Sequence, residues 1–313
     1  MSSLFPRLSR IRAFSRGATP GAIDRPASYI LERMANQNTD GTHSELDPKI
    51  VEDALARRVS HSFFPSESNP SEFEMIRFLE GPAEIGSEQK ILTSVEEEFT
   101  RAFRVFGELG PCVTFFGSAR SKPDHPFYEI CRQTAGLIAK QGFTVMTGGG
   151  PGMMEAANRG ASEAGGRSMG ATIELEHEES ANAYVTREVP FKHFFVRKVV
   201  LVKYSYGFVV MPGGIGTIDE MSEILTLIQC KKIRDFPVVL MGRDYWSGLV
   251  DFMSNTMLEN DMISPDDLKL FHMTDDPQAA CSFITKIATR RFELHKGAPS
   301  ACVLDWKTHR ASS

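Results

Sequence analysis

The residue types best suited to chemistry lie between positions 190 and 220. Arg197 and Lys198 are adjacent cations inside the apolar run PFKHFFVRKVV. Downstream stands Pro212-Gly213-Gly214-Ile215-Gly216-Thr217, followed by Asp219 and Glu220. Glycine lets backbone N–H groups approach a ligand closely, and a helix opening behind such a loop adds partial positive charge. Together they make an anion site suited to phosphate, to which Thr217 adds a hydroxyl donor. Arg197 is equipped for bidentate phosphate contact. The plainer alternative is that both cations lay their stems along apolar surface and keep their charges in water. Glu220 would sit in the first turn of the helix behind the loop, where an acid gains about 0.3–1 kcal/mol from the helix dipole. It would also repel an anionic ligand, so its position points to a chemical task. The helix end predicts an ionised carboxylate of low pKa.

Two further loops share this character. FGSAR (116–120) carries Gly117 and Ser118, and TGGGPG (147–152) carries Gly149 and Gly150. Glu155 follows the second loop as Glu220 follows the third, placed to cap a helix or to bind a hydroxyl. Glycines that merely make tight turns are the competing explanation. An ATP-type P-loop ends in Gly-Lys-Ser/Thr, and neither helix-opening loop has the lysine. The dinucleotide pattern GxGxxG fails as well, because Met153 and Asp219 occupy the final glycine position. A mononucleotide or sugar phosphate is therefore favoured over a stacked dinucleotide. His177 and His193 lack metal-ligand spacing and read as structural or exposed. Cys112, Cys131, Cys230, Cys281 and Cys302 are odd in number and form no CxxC pair, so neither a zinc site nor a disulfide framework is expected. A reducing compartment is the better fit.

These loops need strands before them and helices behind them. Short apolar runs at 112–116, 143–147, 168–173, 207–211 and 237–241 read as buried strands. Helical patterns cover 127–140, 151–164, 196–205, 216–230, 245–259 and 277–290. A further helix is expected from Ser94, with Ser94 and Glu97 as a capping box and Val95, Phe99, Phe103 and Phe106 as its apolar positions. The alternation predicts βαβ units in a Rossmann-like, doubly wound parallel α/β sheet with helices on both faces. Ligands of such sheets bind beyond the carboxyl ends of the strands, where the three loops fall.

The chain has 313 residues and a formal net charge of −5, with 42% hydrophobic and 24% charged residues. That composition excludes a wholly disordered chain, a collagen and a coiled coil. The acidic balance gives no general reason to expect a nucleic-acid or membrane partner. No apolar stretch is long enough for a transmembrane helix. The domain expectation is an N-terminal extension over 1–90, a catalytic domain over 91–294 and a tail over 295–313. The extension opens with Arg7, Arg10, Arg12, Arg16 and Arg25 against the single acid Asp24. That fits a basic tail on a cytoplasmic protein or, alternatively, a mitochondrial transit segment.

Arg197-Lys198 followed by PGGIGTIDE (212–220) resembles the paired signature of the Lonely Guy family, written PGGxGTxxE. TGGGPGMMEAANRGA (147–161) and FGSAR resemble the family's earlier loops. The resemblance implies a phosphoribohydrolase that splits a nucleoside 5′-monophosphate, of AMP or cytokinin riboside type, into free base and ribose 5-phosphate. Arg197 and Glu220 are then the catalytic pair. Lys198, Gly213, Gly214, Ile215, Gly216, Thr217 and Thr226 line the nucleotide site with Gly117, Ser118, Gly149, Gly150 and Glu155. An acid at Glu178 or Glu179 also touches substrate. No cofactor or metal is implied, and the partner is a second copy of the chain in a homodimer. Phe194-Phe195 replaces the Met-His of plant-type members, which puts a cytokinin substrate in question. The older label "possible lysine decarboxylase" finds no pyridoxal-phosphate lysine motif here. A non-catalytic carrier of a nucleotide or of molybdenum cofactor, on the same fold, is the alternative from another class.

Overall fold

A computed structural model describes residues 87–174, 181–233, 236–296 and 306–308. All fall within the unit Pro65–Ser313. The N-terminal extension, but for its last few positions, lies outside them.

The first helix, α1 (Ser87–Phe106), begins two turns ahead of the expected cap at Ser94. Its inward stripe starts at Ile91 and continues through Glu98, Ala102 and Phe106, each buried. That spacing carries the helical period upstream, so Ser94 and Glu97 become interior positions rather than a capping box. Phe103, expected to face inward, is 44% exposed. An acid at Glu98 within the buried stripe is unusual.

Next come β1 (Cys112–Phe116), α2 (Pro126–Lys140), β2 (Thr144–Thr147), α3 (Met153–Glu163), β3 (Ser168–Ile173) and β4 (Arg187–Phe191). They are followed by α4 (Phe194–Tyr204), β5 (Ser205–Val210), α5 (Ile215–Gln229), β6 (Val238–Met241) and α6 (Arg243–Phe252). The expected helix over 245–259 divides, because α6 gives way to a π-helical turn at Met253–Met257. After a 3-10 turn at Asp267–Lys269 come β7 (His272–Thr274) and α7 (Pro277–Arg291). An antiparallel pair, β8 (Leu294–Lys296) and β9 (Trp306–Thr308), completes the described residues.

The main sheet has the order β4-β3-β2-β1-β5-β6-β7, and every neighbouring pair is parallel. This is the Rossmann-like α/β fold expected from the alternation of strands and helices. Two of its strands, β4 and β7, were not legible in the sequence. Both are sheet edges. β4 contains Pro190, which lacks an N–H and is tolerated at an edge, while β7 has only three residues.

Side chains alternate across the sheet. Val113, Phe115, Val209 and Met211 face one core with α2, α3 and α7. Cys112, Phe116, Phe208 and Val210 face the other with α1, α4, α5 and α6. The chain runs outward from β1 to β4, returns through α4 to place β5 beside β1, then runs outward the other way. β1 and β5 thus flank the switch point, where their carboxyl ends open a crevice.

Candidate active site at the switch point of the sheet

The three loops meet at that crevice through their backbones. Met153 N–H, from the second loop, donates to the Ser118 carbonyl at 2.9 Å. Ser118 N–H donates in turn to the Pro212 carbonyl of the third loop at 3.0 Å. Glycine is required where they touch. A methyl group on Gly117 would meet Met153 Cβ at 2.7 Å and Met211 Cβ at 2.9 Å. At Gly152 (φ +72°) it would overlap the Ser118 carbonyl.

Second-loop donors are partly engaged inside the protein. Gly149 N–H donates to Thr147 Oγ1 at 2.8 Å. Asn182 Nδ2 donates to the Gly149 and Gly150 carbonyls at 2.9 and 3.0 Å, which ties the second loop down. Behind them Asn158, fully buried, accepts from Thr147 Oγ1 and from Asn182 Nδ2. The third loop is freer. α5 has Gly214 at its N-cap without a side-chain cap, and the first turn of a helix leaves its N–H groups without intrahelical partners. Ile215 there is 82% exposed. Thr217 is buried, and a methyl group on Gly213 would overlap its hydroxyl, so this glycine makes room for Thr217. Tyr245 of α6 donates its hydroxyl to the Gly213 carbonyl at 2.6 Å. These arrangements make the α5 terminus the better anion-binding end of the two.

The charged residues come from α4 and α5. Arg197 Nη2 lies 3.4 Å from Glu220 Oε1, with the two side chains only 12% and 18% exposed. A methyl group on Gly148 would lie 3.5 Å from Arg197 Nη1. The guanidinium therefore stands between the second and third loops, with the Phe194 ring 5.1 Å from its centre. Glu220 differs from expectation in its ionisation. Burial dominates and raises its pKa to about 7, against the opposing pull of Arg197. The helix end does not hold it low: α5 begins at Ile215, so Glu220 lies in its second turn rather than the expected first, beyond the reach of the terminus, and desolvation of the carboxylate dominates.

Lys198 turns from the loops to neighbouring acids, at 2.9 Å from Asp219 Oδ2 and 2.8 Å from Glu223 Oε2. Burial is the largest effect on its ammonium and acts to lower the pKa, but Glu223 and Asp219 outweigh it and the net shift is upward. Glu155 accepts the Tyr128 hydroxyl at 2.7 Å. Burial, then that bond, push the phenol up to about 12. Thr226 is exposed on α5, about 9 Å further along the helix axis than Glu220. The structure does not bring it to the pair. Glu178 and Glu179 lie outside the described residues. Among the described residues, no group of three or more His, Cys, Asp or Glu is placed to hold a metal ion, and no helix is long and apolar enough to cross a membrane. Asn182 and Tyr245 were missed in the sequence, since no local motif marks a side chain that reaches a loop from a distant element. Asn158 lay inside the recognised segment 147–161 but was not singled out.

Sheet, switch point and glycine loops define a Rossmann-like α/β domain. Residues 154–284 match the family described as "Possible lysine decarboxylase". A cytokinin riboside 5′-monophosphate phosphoribohydrolase from Mycobacterium marinum is 32% identical over 107 residues, covering 33% of this chain and 57% of that protein. The pyrimidine/purine nucleotide 5′-monophosphate nucleosidase of Escherichia coli is 26% identical over 147 residues, covering 42% of this chain. The match spans about a third (32%) of that relative's length. Among solved structures, the molybdenum cofactor binding protein of Rippkaea orientalis is 22% identical and covers 57% of this chain and 97% of that one, with a TM-score of 0.43. The family match and the curated relatives support the Lonely Guy family, whose signature the loops resemble.

Proposed function

We propose that this chain is a phosphoribohydrolase that cleaves the N-glycosidic bond of a nucleoside 5′-monophosphate. The observation that carries the reading is the Arg197–Glu220 pair, 3.4 Å apart and largely buried beside the glycine loops. In this reading the phosphate sits against the N–H groups opening α5. The bond from C1′ to the base nitrogen breaks through an oxocarbenium-like state, with positive charge on the ribose. Glu220, as carboxylate, stabilises that charge and accepts a proton from the water whose oxygen bonds to C1′. Arg197 orients the phosphate or steadies negative charge growing on the leaving base, which takes up a proton on release. The products are free base and ribose 5-phosphate. A pKa of about 7 suits Glu220 to proton transfer near neutral pH.

A homodimer belongs to the same proposal. Phe194, Phe195 and Val199 leave α4 with exposed apolar side chains beside Arg197, which supports a covering partner. Incubation with a panel of nucleoside monophosphates, with free base detected by chromatography, tests the activity and identifies the base. Nucleotide binding without release from any of them would favour the carrier alternative.

A further inference from the structure

Away from the glycine loops, one ionisable pair is almost wholly enclosed. Glu98 of α1 and His193, immediately before α4, have side chains only 3% and 5% exposed, with His193 Nδ1 2.7 Å from Glu98 Oε1. The same carboxylate accepts the backbone N–H groups of Lys192 at 3.2 Å and His193 at 3.3 Å. One acid of α1 therefore holds the whole corner leading into α4. Burying such a group costs several kcal/mol unless it is fully bonded, and apolar residues would fill the same space without that cost. What hydrogen bonds add to apolar packing is direction: they fix the corner at one position and orientation.

Arg197 hangs from this corner. His193 is the N-cap of α4, and its carbonyl accepts Arg197 N–H at 3.1 Å in the first turn of the helix. Two neighbouring contacts reinforce the corner. Arg101 of α1 donates to the Pro190 carbonyl at 2.5 Å, and the Phe195 ring lies 5.5 Å from the His193 ring. At the far end, the guanidinium reaches Glu220 at 3.4 Å, close to the limit of a hydrogen bond, so a small displacement of α4 would break the contact.

We propose that Glu98 and His193 are positioning residues that place the Arg197 guanidinium against Glu220. α1 is thereby part of the working site, although Glu98 acts through the corner before α4 rather than from the glycine loops. The inference rests on reading Arg197 and Glu220 as the reacting pair.

The test compares Glu98→Ala and Glu98→Gln, each alone and with Arg197→Ala, in the full chain. Three readouts are used: kcat and KM separately, deuterium uptake of the peptide spanning 190–200, and the Glu220 carboxyl titration followed by NMR. Glu98→Ala is expected to lower kcat about 10- to 100-fold with KM little changed, as a displaced catalytic group does. In the Arg197→Ala background that further loss disappears. Glu98→Gln keeps one acceptor oxygen, enough for only one of the two corner N–H groups, which the carboxylate meets with different oxygens, so it restores only part of kcat. Uptake should rise in 190–200 and not in 213–229. The Glu220 titration should move upward in Glu98→Ala, in the direction Arg197→Ala moves it. Equal losses of kcat in both backgrounds, or an unmoved Glu220 titration in folded Glu98→Ala, overturn the proposal. If the wild-type protein releases no base from any nucleotide, the enzymatic reading fails, and the titration and the exchange pattern still decide this one.

Discussion

Arg197 and Glu220 lie on different helices, 23 positions apart in sequence, and their side chains meet at 3.4 Å beneath the loops that end β2 and β5. Each is drawn from water, and burial pushes the Glu220 pKa up to about 7 against the opposing pull of Arg197.

Glu220→Gln preserves shape and removes the charge. The fold and nucleotide affinity are expected to survive, while turnover drops by about 100-fold or more, the usual scale for removing a positioned base. Steady-state base release, with nucleotide binding measured by calorimetry, checks both halves. Full activity in this variant ends the assignment.

Arg197 is the strongest influence holding the Glu220 pKa down. Arg197→Ala should therefore move the rising limb of kcat/KM to higher pH, in addition to lowering its plateau. A pH–rate profile against wild type, whose own limb is expected near 7, tests this. An unmoved limb would mean that another group is being titrated.

The same carboxyl makes stability depend on pH. Its folded pKa lies above its ordinary value of 4.5, so its contribution favours the folded state below that value and is lost as pH rises through about 7. Wild type should lose up to about 3 kcal/mol relative to Glu220→Gln between pH 4.5 and pH 8. Denaturant unfolding of both proteins at each pH isolates the difference. A constant difference would contradict a raised Glu220.

Lys198 ties α4 to Asp219 and Glu223, and the Asp219 side chain is 59% exposed. Lys198→Met keeps the stem and removes the charge, for an expected stability loss of about 1 kcal/mol. It should also raise the Glu220 titration, by less than Arg197→Ala does. Nucleotide KM should change little. A large rise in KM would show the ammonium leaving its acids for the phosphate.

Tyr245→Phe deletes the hydrogen bond to the Gly213 carbonyl and leaves the ring in place. The loss expected is about 1 kcal/mol, seen as weaker nucleotide binding if the loop loosens. Binding measured by calorimetry, alongside the unfolding midpoint, separates the loop from the whole fold.

The glycine loops, the Arg-Lys pair and Glu220 were legible because each depends on local chemistry: backbone freedom, helix starts and charge. The five central strands were legible for a similar reason, as short apolar runs buried on both faces. β4 and β7 were not, since edge strands need no continuous apolar run and Pro190 argues locally against a strand. The start of α1 was misplaced because a capping pattern at Ser94 and Glu97 competes with an apolar period that begins at Ile91.

The sequence by itself determined the three loops within windows of a few residues, the fold class from the alternation of apolar runs and helical patterns, and the charged pair from the resemblance of its spaced signature. Tertiary structure alone decided which loops touch, that Asn182 and Tyr245 hold their carbonyls, that Lys198 faces acids, and that Glu98 grips the corner before Arg197. It also reversed the expected ionisation of Glu220. Burial is a property of everything packed around a residue, and desolvation grows with that enclosure, so no local pattern of residue types can report it.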